Sequence, residues 1–194
     1  MTQIILASQS PRRVELLTTM GIVFEAIPSH FEEHLDETKS AEEVSQQLAL
    51  DKARDVATAH SNAFVIGSDT VVAINGRQME KPRDIEDARE MLTALAGHES
   101  TVSTGVAIVN IHENITLLDV STTKIYFKPD SPEVRELREA YLASDDWKDK
   151  AGGYGIQSGA DVLIDHIDGD YDTVVGLPTS LLSTMLSDLQ IDIK

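Results

Sequence analysis

Apolar and polar residues fall into distinct blocks along the chain, beginning close to its first residue. An apolar run at residues 4–7 is followed by polar residues 8–13 and then by apolar positions at helical spacing from Val14. Ser10 suits the N-cap of a helix, and Pro11 suits its first position, where no backbone donor is needed. The pattern therefore predicts a buried strand, a polar turn and a helix.

The rest of the pattern predicts further strands and helices in a mixed order. Strands are expected at residues 22–27, 64–66, 71–74, 77–80, 99–110, 115–127, 161–168 and 171–175. Helices are expected at residues 40–58, 84–95, 131–143 and 179–189. Asn75-Gly76 is a strong signal for a hairpin turn, and the polar residues 67–70 are expected to interrupt the apolar strand before it.

This order of elements predicts an α/β fold, or in broader terms a mixed α+β fold. Strands and helices do not alternate regularly, which argues against a doubly wound fold. We therefore predict a long, twisted mixed sheet with helices on both sides. No repeat or linker divides the sequence, so residues 1–194 are expected to form a single domain.

Composition narrows the class of protein. No apolar run approaches the ~20 residues that a membrane-spanning helix needs, and no basic and apolar signal segment opens the chain. The absence of cysteine excludes disulfides and thiol catalysis, and it agrees with a reducing cytoplasm. A net charge of -17 argues against nucleic acid or an anionic membrane as a partner. We expect a cytoplasmic protein that binds neither.

The first predicted helix could bind an anion at its N-terminus. Two hydroxyls, of Ser8 and Ser10, and two adjacent guanidinium groups, of Arg12 and Arg13, lie at the helix start. Free N–H groups and the helix dipole add to their attraction for an anion, most simply a phosphate. The alternative is an ordinary turn with solvated arginines, and local chemistry alone leaves both open.

Asp69 is the carboxylate with the most unusual surroundings in the sequence. It follows the apolar residues 64–66 and precedes the apolar pair Val71-Val72. An acid in such a place is costly to bury unless it binds a metal, accepts hydrogen bonds or acts as a base. The alternative is a turn aspartate that bonds to nearby amides.

Six ordered segments of the chain together resemble one known family, the Maf-like nucleoside triphosphate pyrophosphatases. The matching segments are LASQSPRRVELL at 6–17, DKA at 51–53, IGSDTVV at 66–72, EKP at 80–82, DKAGGYGIQ at 149–157 and VGLP at 175–178. Two small departures occur, at Ser68 and at Gly153, where the family usually has alanine. The resemblance spans essentially the whole chain.

The resemblance implies an elongated, two-lobed Maf/ITPase-like fold with a central cleft. It also implies hydrolysis of dTTP and UTP, or of modified pyrimidine nucleotides, to the nucleoside monophosphate and pyrophosphate. The alternative is a nucleotide-binding regulator of cell division or septum formation without significant turnover. The resemblance is compatible with a homodimer.

The resemblance also assigns roles to individual residues. Asp69 matches the catalytic aspartate, and a divalent cation, Mg²⁺ or Mn²⁺, would be held by Glu33, Asp69 and Glu80. The residues expected to bind the substrate are Ser8, Ser10, Arg12, Arg13, Lys52, Thr70, Lys81 and Gln157. Arg12, Thr70 and Gln157 match positions typical of the dTTP/UTP-preferring branch. The Gln157 carboxamide could complement the N3–H and O4 edge of uracil or thymine.

A triphosphate substrate conflicts with so acidic a chain unless two conditions hold. The few cations must gather at one cleft, and a divalent metal must neutralise part of the phosphate charge. The matched segments contain the five cations Arg12, Arg13, Lys52, Lys81 and Lys150, as the first condition requires. The remaining acidity is then expected to form a solvated surface.

Overall fold

A computed structural model describes residues 3–191 as one seven-stranded mixed sheet with helices on both faces. The strands are β1 (Ile4–Leu6), β2 (Glu25–Ala26), β3 (Phe64–Ile74), β4 (Arg77–Met79), β5 (Glu99–Asn110), β6 (Ile115–Phe127) and β7 (Ile164–Asp168). The helices are α1 (Pro11–Thr19), α2 (Ala41–Ala59), α3 (Ile85–Leu95), α4 (Pro132–Leu142), α5 (Tyr171–Val175) and α6 (Thr179–Asp188). The mixed α/β architecture expected from the sequence is confirmed.

The strand order β2-β1-β3-β5-β6-β7 leaves a gap beside the central strand β3. β1 runs parallel to β3 and pairs only with residues 64–66 of it. β4 returns antiparallel and pairs only with residues 72–74. Between them, residues 67–71 of β3 pair with β5 on one side and with no described strand on the other. Side chains from both faces of the sheet can therefore reach the same opening.

Helix α2 covers one face of the sheet, and helices α1 and α6 cover the other. Ala49 and Ala53 of α2 pack with Val65 of β3. On the opposite face, Leu17 of α1 and Leu182 of α6 belong to the cluster around Ile66, Ile108 and Leu177. Val65 and Ile66 face opposite ways because successive side chains alternate along a strand.

The start of α2 shows the capping box that the sequence predicts. The Ser40 hydroxyl accepts a hydrogen bond from the Glu43 N–H at 3.2 Å, and the Glu43 carboxylate accepts one from the Ser40 N–H at 2.9 Å. This reciprocal pair satisfies two donors that a helix start leaves open. It fixes the start of the helix that carries Lys52.

Several predicted elements differ from the structure. Residues 67–70 do not interrupt β3, because their pairing with β5 keeps the strand continuous. Residues 171–175 form the helix α5 rather than a strand. The Asp170 carboxylate caps its start, and Gly176, at φ 116°, ends it. The strands expected at 22–27 and 161–168 shorten to β2 and β7, and a 3-10 turn at Ala160–Leu163 precedes β7.

Within residues 3–191, no helix combines the length and apolar character needed to cross a membrane. That residues 1–194 form one two-lobed domain stays a prediction.

Candidate active site

The main cleft of the described residues opens at the gap beside β3. Two adjoining cavities, of about 230 Å³ and about 600 Å³, share a set of lining residues that includes Arg12, Lys52 and Lys81. The walls come from the free edge of β3, the N-terminus of α1, helix α2 and the loop at residues 149–157. The loop and helix N-terminus therefore converge on the part of β3 that contains Asp69.

A single ammonium group joins two carboxylates on the α2 side of the cleft. The Lys52 Nζ donates to Asp69 Oδ1 and lies 2.6 Å from Glu33 Oε1. Lys52 and Asp69 are buried, at 9% and 6% exposure, whereas the Glu33 side chain is 48% exposed. The buried pair therefore lies inside the cleft and Glu33 closes it toward solvent.

The surroundings move the pKa values of the two carboxyls in opposite directions. Burial raises the pKa of Asp69, although the positive charges of Lys52 and Arg13 oppose the shift. Burial also acts to raise the pKa of Glu33, but its hydrogen bond and charge pairing with Lys52 outweigh this and lower it. The site thus combines a more basic carboxylate, Asp69, with a more acidic one, as acid–base chemistry needs.

Arg13 is tied into the protein by three contacts on the other side of the cleft. Its Nε donates to the Gly176 carbonyl at 2.8 Å. Its terminal nitrogens reach the hydroxyls of Ser8 and Thr70 at 3.5 and 3.4 Å. Burial lowers the pKa of Arg13, although an arginine stays charged at neutral pH. Arg13 therefore holds α1, the Gly176 turn and β3 together as well as supplying charge.

Further cations crowd the mouth of the cleft. Arg12, Lys81 and Lys150 line both cavities. Burial, followed by the charge of Arg12, lowers the pKa of Lys150. The net charge of -17 is therefore distributed so that positive groups collect at one place. This is the concentration that a triphosphate substrate requires.

The N-terminus of α1 forms the floor of the larger cavity. Ser10 is the N-cap, and its side chain makes no cap hydrogen bond. The Ser8 hydroxyl accepts from the Ser10 N–H at 3.1 Å. Ser10 and the first turn of α1 thus line a cavity that the two arginines also line, an arrangement suited to phosphate.

The smaller cavity has a group of large apolar lining residues that the larger cavity lacks. Its walls include the side chains of Val72, Val102, Tyr154, Ile156 and Val174. Thr70 and Gln157 lie in the same cavity and add polar groups to its lining. One end of the cleft therefore suits anionic groups, and the other suits a flat ring with polar edges.

The structure gathers almost every residue that the sequence singled out. Ser8, Ser10, Arg12, Arg13, Glu33, Lys52, Asp69, Thr70, Lys81 and Gln157 all line one cavity or both. Glu80 does not line either cavity. Its side chain is exposed, and its main-chain carbonyl accepts from the Gly152 N–H at 3.0 Å. Its predicted role as a ligand therefore receives no support from the geometry.

Four residues in or behind the cleft carried no predicted role from the sequence. Asp149 and Tyr154 lie within the segment at 149–157, so their place in a matched motif was the available signal. Thr104 and Thr173, which lie behind Thr70, gave no local signal at all. They come together only through the packing of β5 against β3 and of α5 against the sheet.

The donor set at Asp69 fits a divalent cation in part. Among residues 3–191 no group of three or more acidic, histidine or cysteine side chains lies close enough to hold a metal. Asp69 and Glu33 do converge on one positive charge, that of Lys52. Two carboxylates suit Mg²⁺ when substrate phosphates and water complete its shell.

Residues 3–189 match the model of a family described as Maf-like protein. The chain belongs to this Maf-like family. It is similar to a "dTTP/UTP pyrophosphatase" of Bacillus cereus (strain AH820), with 41% identity over 100% of this chain and 98% of the relative. It is also similar to a "dTTP/UTP pyrophosphatase" of Geobacillus sp. (strain WCH70), with 44% identity over 93% and 94% of the two chains.

A solved structure also resembles this Maf-like chain, although weakly. It is a "Nucleoside-triphosphatase / dITP/XTP pyrophosphatase" from Mycobacterium abscessus, with 18% identity and a TM-score of 0.44 over 65% of this chain and 74% of the other. A likeness at this level carries no argument. The family membership rests on the sequence matches, and it confirms the resemblance drawn from the six segments.

Proposed function

We propose that the protein hydrolyses nucleoside triphosphates between the α- and β-phosphates, with dTTP and UTP as preferred substrates. One observation carries the proposal: buried Asp69 shares Lys52 with Glu33 in a cleft that is cationic at one end and apolar at the other. The names of the two relatives, at 41% and 44% identity, support the same reaction and the same bases.

The cationic end would bind the triphosphate. Arg12, Lys81 and Lys150 neutralise phosphate oxygens, and the N-terminus of α1 donates N–H groups to them. Arg13 keeps this wall in place through its bond to Gly176 and also contributes charge. Placing the chain of phosphates here leaves the apolar end for the base.

The chemistry would take place at Asp69. Its Oδ1 accepts from Lys52, which leaves Oδ2 to act either as the base for the attacking water or as a ligand of a divalent cation. Burial raises the pKa of Asp69 and makes it a better base than an ordinary aspartate. Lys52 remains positioned to stabilise negative charge as the bond breaks.

A divalent cation, Mg²⁺ or Mn²⁺, belongs to the proposal. Glu33 and Asp69 would hold it together with the substrate phosphates. When bound, it would polarise the phosphate that is attacked and lower the pKa of a bound water. Glu80 was predicted as a third ligand, and because it lines neither cavity it is the residue to test.

The base would lie at the apolar end, with its polar edge against Gln157 and Thr70. A carboxamide presents one donor and one acceptor side by side, which matches the O4 and N3–H groups of uracil and thymine. The strongly acidic chain agrees with the proposed absence of nucleic-acid and membrane partners. The proposal places the enzyme in the cytoplasm and allows a homodimer.

The test is an assay of the products with dTTP, UTP, dCTP and GTP, each with Mg²⁺ or Mn²⁺. We expect pyrophosphate and the monophosphate, with kcat/KM highest for dTTP and UTP. Release of orthophosphate and a diphosphate would overturn the proposed bond. Tight nucleotide binding without any turnover would favour the alternative of a regulator, which no observation on the described residues supports.

A further inference from the structure

A chain of hydroxyl groups lies behind the cleft at Thr70. The Thr70 Oγ1 lies 2.9 Å from the Thr104 Oγ1, directly across the pairing of β3 with β5. The Thr104 hydroxyl in turn donates to the Thr173 carbonyl at 2.7 Å. Thr104 and Thr173 are fully buried, whereas Thr70 lines the cleft. This series of hydrogen-bonded groups therefore leads from the interior of the protein to the cleft.

The Thr173 carbonyl depends on Thr104 for a donor. It lies in the last turn of α5, where carbonyls have no partner within the helix. The N–H groups of Gly176 and Leu177, the next donors along the chain, both go to the Asp172 carbonyl. Leaving a buried carbonyl unpaired is costly, so the single hydroxyl hydrogen of Thr104 is committed to Thr173.

This commitment fixes the direction of the next hydrogen bond. Thr104 has no second hydrogen, so in the Thr70–Thr104 pair it is Thr70 that donates. The Thr70 hydroxyl then has no hydrogen left for the cleft and offers only its lone pairs there. Arg13, which can only donate, reaches the same oxygen at 3.4 Å and agrees with this direction.

We propose that Thr104 is a positioning residue for base selection, because it makes Thr70 present an acceptor alone to the base. An acceptor at this place selects a base that carries a donor, because the N3–H of uracil or thymine can be shared between the Thr70 oxygen and the carboxamide oxygen of Gln157. It disfavours cytosine, whose N3 is itself an acceptor. The inference rests on the proposed function, since it assumes that the base lies against Thr70.

The experiment measures binding rather than turnover. Calorimetry gives the Kd of α,β-methylene UTP and α,β-methylene CTP, which cannot be cleaved at the proposed bond, for the full chain and its variants. In Thr104→Val, the Thr70 hydroxyl is free to turn its hydrogen into the cleft. We expect the ratio of the CTP Kd to the UTP Kd to fall ~10-fold, in line with relief of an unpaired polar contact.

Two further variants separate this role from a general loosening of α5. Thr104→Ser keeps the hydroxyl and should keep the wild-type ratio. Thr123→Val removes a similar bond, since the buried Thr123 donates to the Asp170 carbonyl at 2.9 Å just before α5. Thr123 makes no hydrogen bond to Thr70, so Thr123→Val should also keep the wild-type ratio of the two Kd values. An unchanged ratio in Thr104→Val, or an equal fall in Thr123→Val, overturns the inference.

A measurement on the wild-type protein covers the case in which Thr104→Val does not fold. The N3-methyl derivative of α,β-methylene UTP lacks the donor, and we expect it to bind at least ~10-fold more weakly than the parent. Equal binding overturns the inference. Because no readout requires hydrolysis, failure to release pyrophosphate from dTTP or UTP would overturn the proposed function alone.

Discussion

The ammonium of Lys52 meets the carboxylate of Asp69 because helix α2 lies directly on the sheet. Two glycines make this close approach achievable. A Cβ at Gly105, opposite Asp69 on β5, would lie 2.3 Å from the Ser45 carbonyl oxygen of α2. A Cβ at Gly67 would lie 2.1 Å from the Ala49 carbonyl oxygen. The geometry of the catalytic pair thus depends on positions that carry no chemistry of their own.

We expect Gly105→Ala to lower both stability and activity. The added methyl meets main-chain atoms of α2, so the helix must shift. The free energy of unfolding should fall by about 1–3 kcal/mol, and a small displacement of Lys52 should reduce kcat/KM by up to ~10²-fold. Urea denaturation and steady-state kinetics measure the two effects.

Gly76→Ala is the matched control for that change. A Cβ there meets nothing within 4 Å, and the only cost is the strain of a positive φ of 77° in the hairpin turn. It should cost about 1 kcal/mol of stability and leave kcat/KM unchanged. If Gly105→Ala behaved in the same way, the close packing of α2 would not determine the position of Lys52.

Asp69→Asn should abolish most of the activity without unfolding the protein. The amide keeps the size of the side chain but removes the base, so kcat should fall at least ~10²-fold. Lys52 keeps its ion pair with Glu33 when the Asp69 charge is removed, so the fold should survive, and a cooperative thermal transition at pH 7 checks this. A variant with near-normal kcat would remove Asp69 from the mechanism.

Metal removal should stop the reaction, and two glutamates should respond differently. EDTA should abolish hydrolysis, and added Mg²⁺ or Mn²⁺ should restore it. Glu33→Gln should raise the Mg²⁺ concentration needed for half-maximal rate by ~10-fold or more, because Glu33 faces Asp69 across Lys52. Glu80→Gln should leave that Mg²⁺ concentration within about twofold, because Glu80 is exposed and lines neither cavity.

The comparison of the two glutamate variants decides the number of protein ligands. An equal rise in Glu80→Gln would establish Glu80 as a third ligand, as the sequence predicted. A rate that persists in EDTA would instead mean that Lys52 and the other cations alone neutralise the triphosphate.

The long strands of the fold were predictable, whereas some short elements were not. β5 and β6 matched their predicted bounds because long runs rich in β-branched residues lie between clear turn signals. The run Thr173-Val174-Val175 has the same composition and was predicted as a strand. There the Asp170 cap and the left-handed Gly176 impose one short helix instead. Local end signals outweighed β propensity at this place.

The charged members of the site were predictable, but the groups behind them were not. Asp69 and Lys52 lie in segments that resemble a known family, which also implied a metal-binding role for Glu33, and the structure brings the three together. The strand was expected to break at Asp69 because glycine and small polar residues surround it. Gly67 instead permits the approach of α2. The hydrogen bond between Thr70 and Thr104 depends on strand register, which no local pattern encodes.

Exchange of the Gln157 carboxamide for a carboxylate should weaken the preference for uracil. Gln157→Glu removes the amide donor and places a carboxylate against O4, whereas the N4 amino group of cytosine could donate to it. An unpaired polar group costs about 1–3 kcal/mol, so the ratio of UTP to CTP kcat/KM should drop ~10-fold or more. Equal falls for both nucleotides would show only that the new charge repels phosphate.

The loop that carries Gln157 is anchored by Tyr141. The phenol oxygen of Tyr141 on α4 accepts a hydrogen bond from the Gly155 N–H at 3.1 Å, and the ring is 4% exposed. Burial raises the pKa of Tyr141 to about 12. The folded state thus favours the neutral phenol more strongly than the unfolded chain does, whose tyrosines titrate near ~10.

This difference in pKa predicts how Tyr141→Phe depends on pH. At pH 8 the variant should be less stable by about 1–3 kcal/mol, because the buried Gly155 N–H loses its acceptor. Because its folded-state pKa is raised, Tyr141 contributes stability that is complete below pH ~10 and is lost as the pH rises through about 12. Only the wild type loses stability in this way, so the difference in free energy of unfolding between the two proteins should close between pH 10 and pH 12. Urea denaturation at each pH measures this difference. A difference that stayed constant to pH 12 would show that Tyr141 titrates alike in the folded and unfolded states.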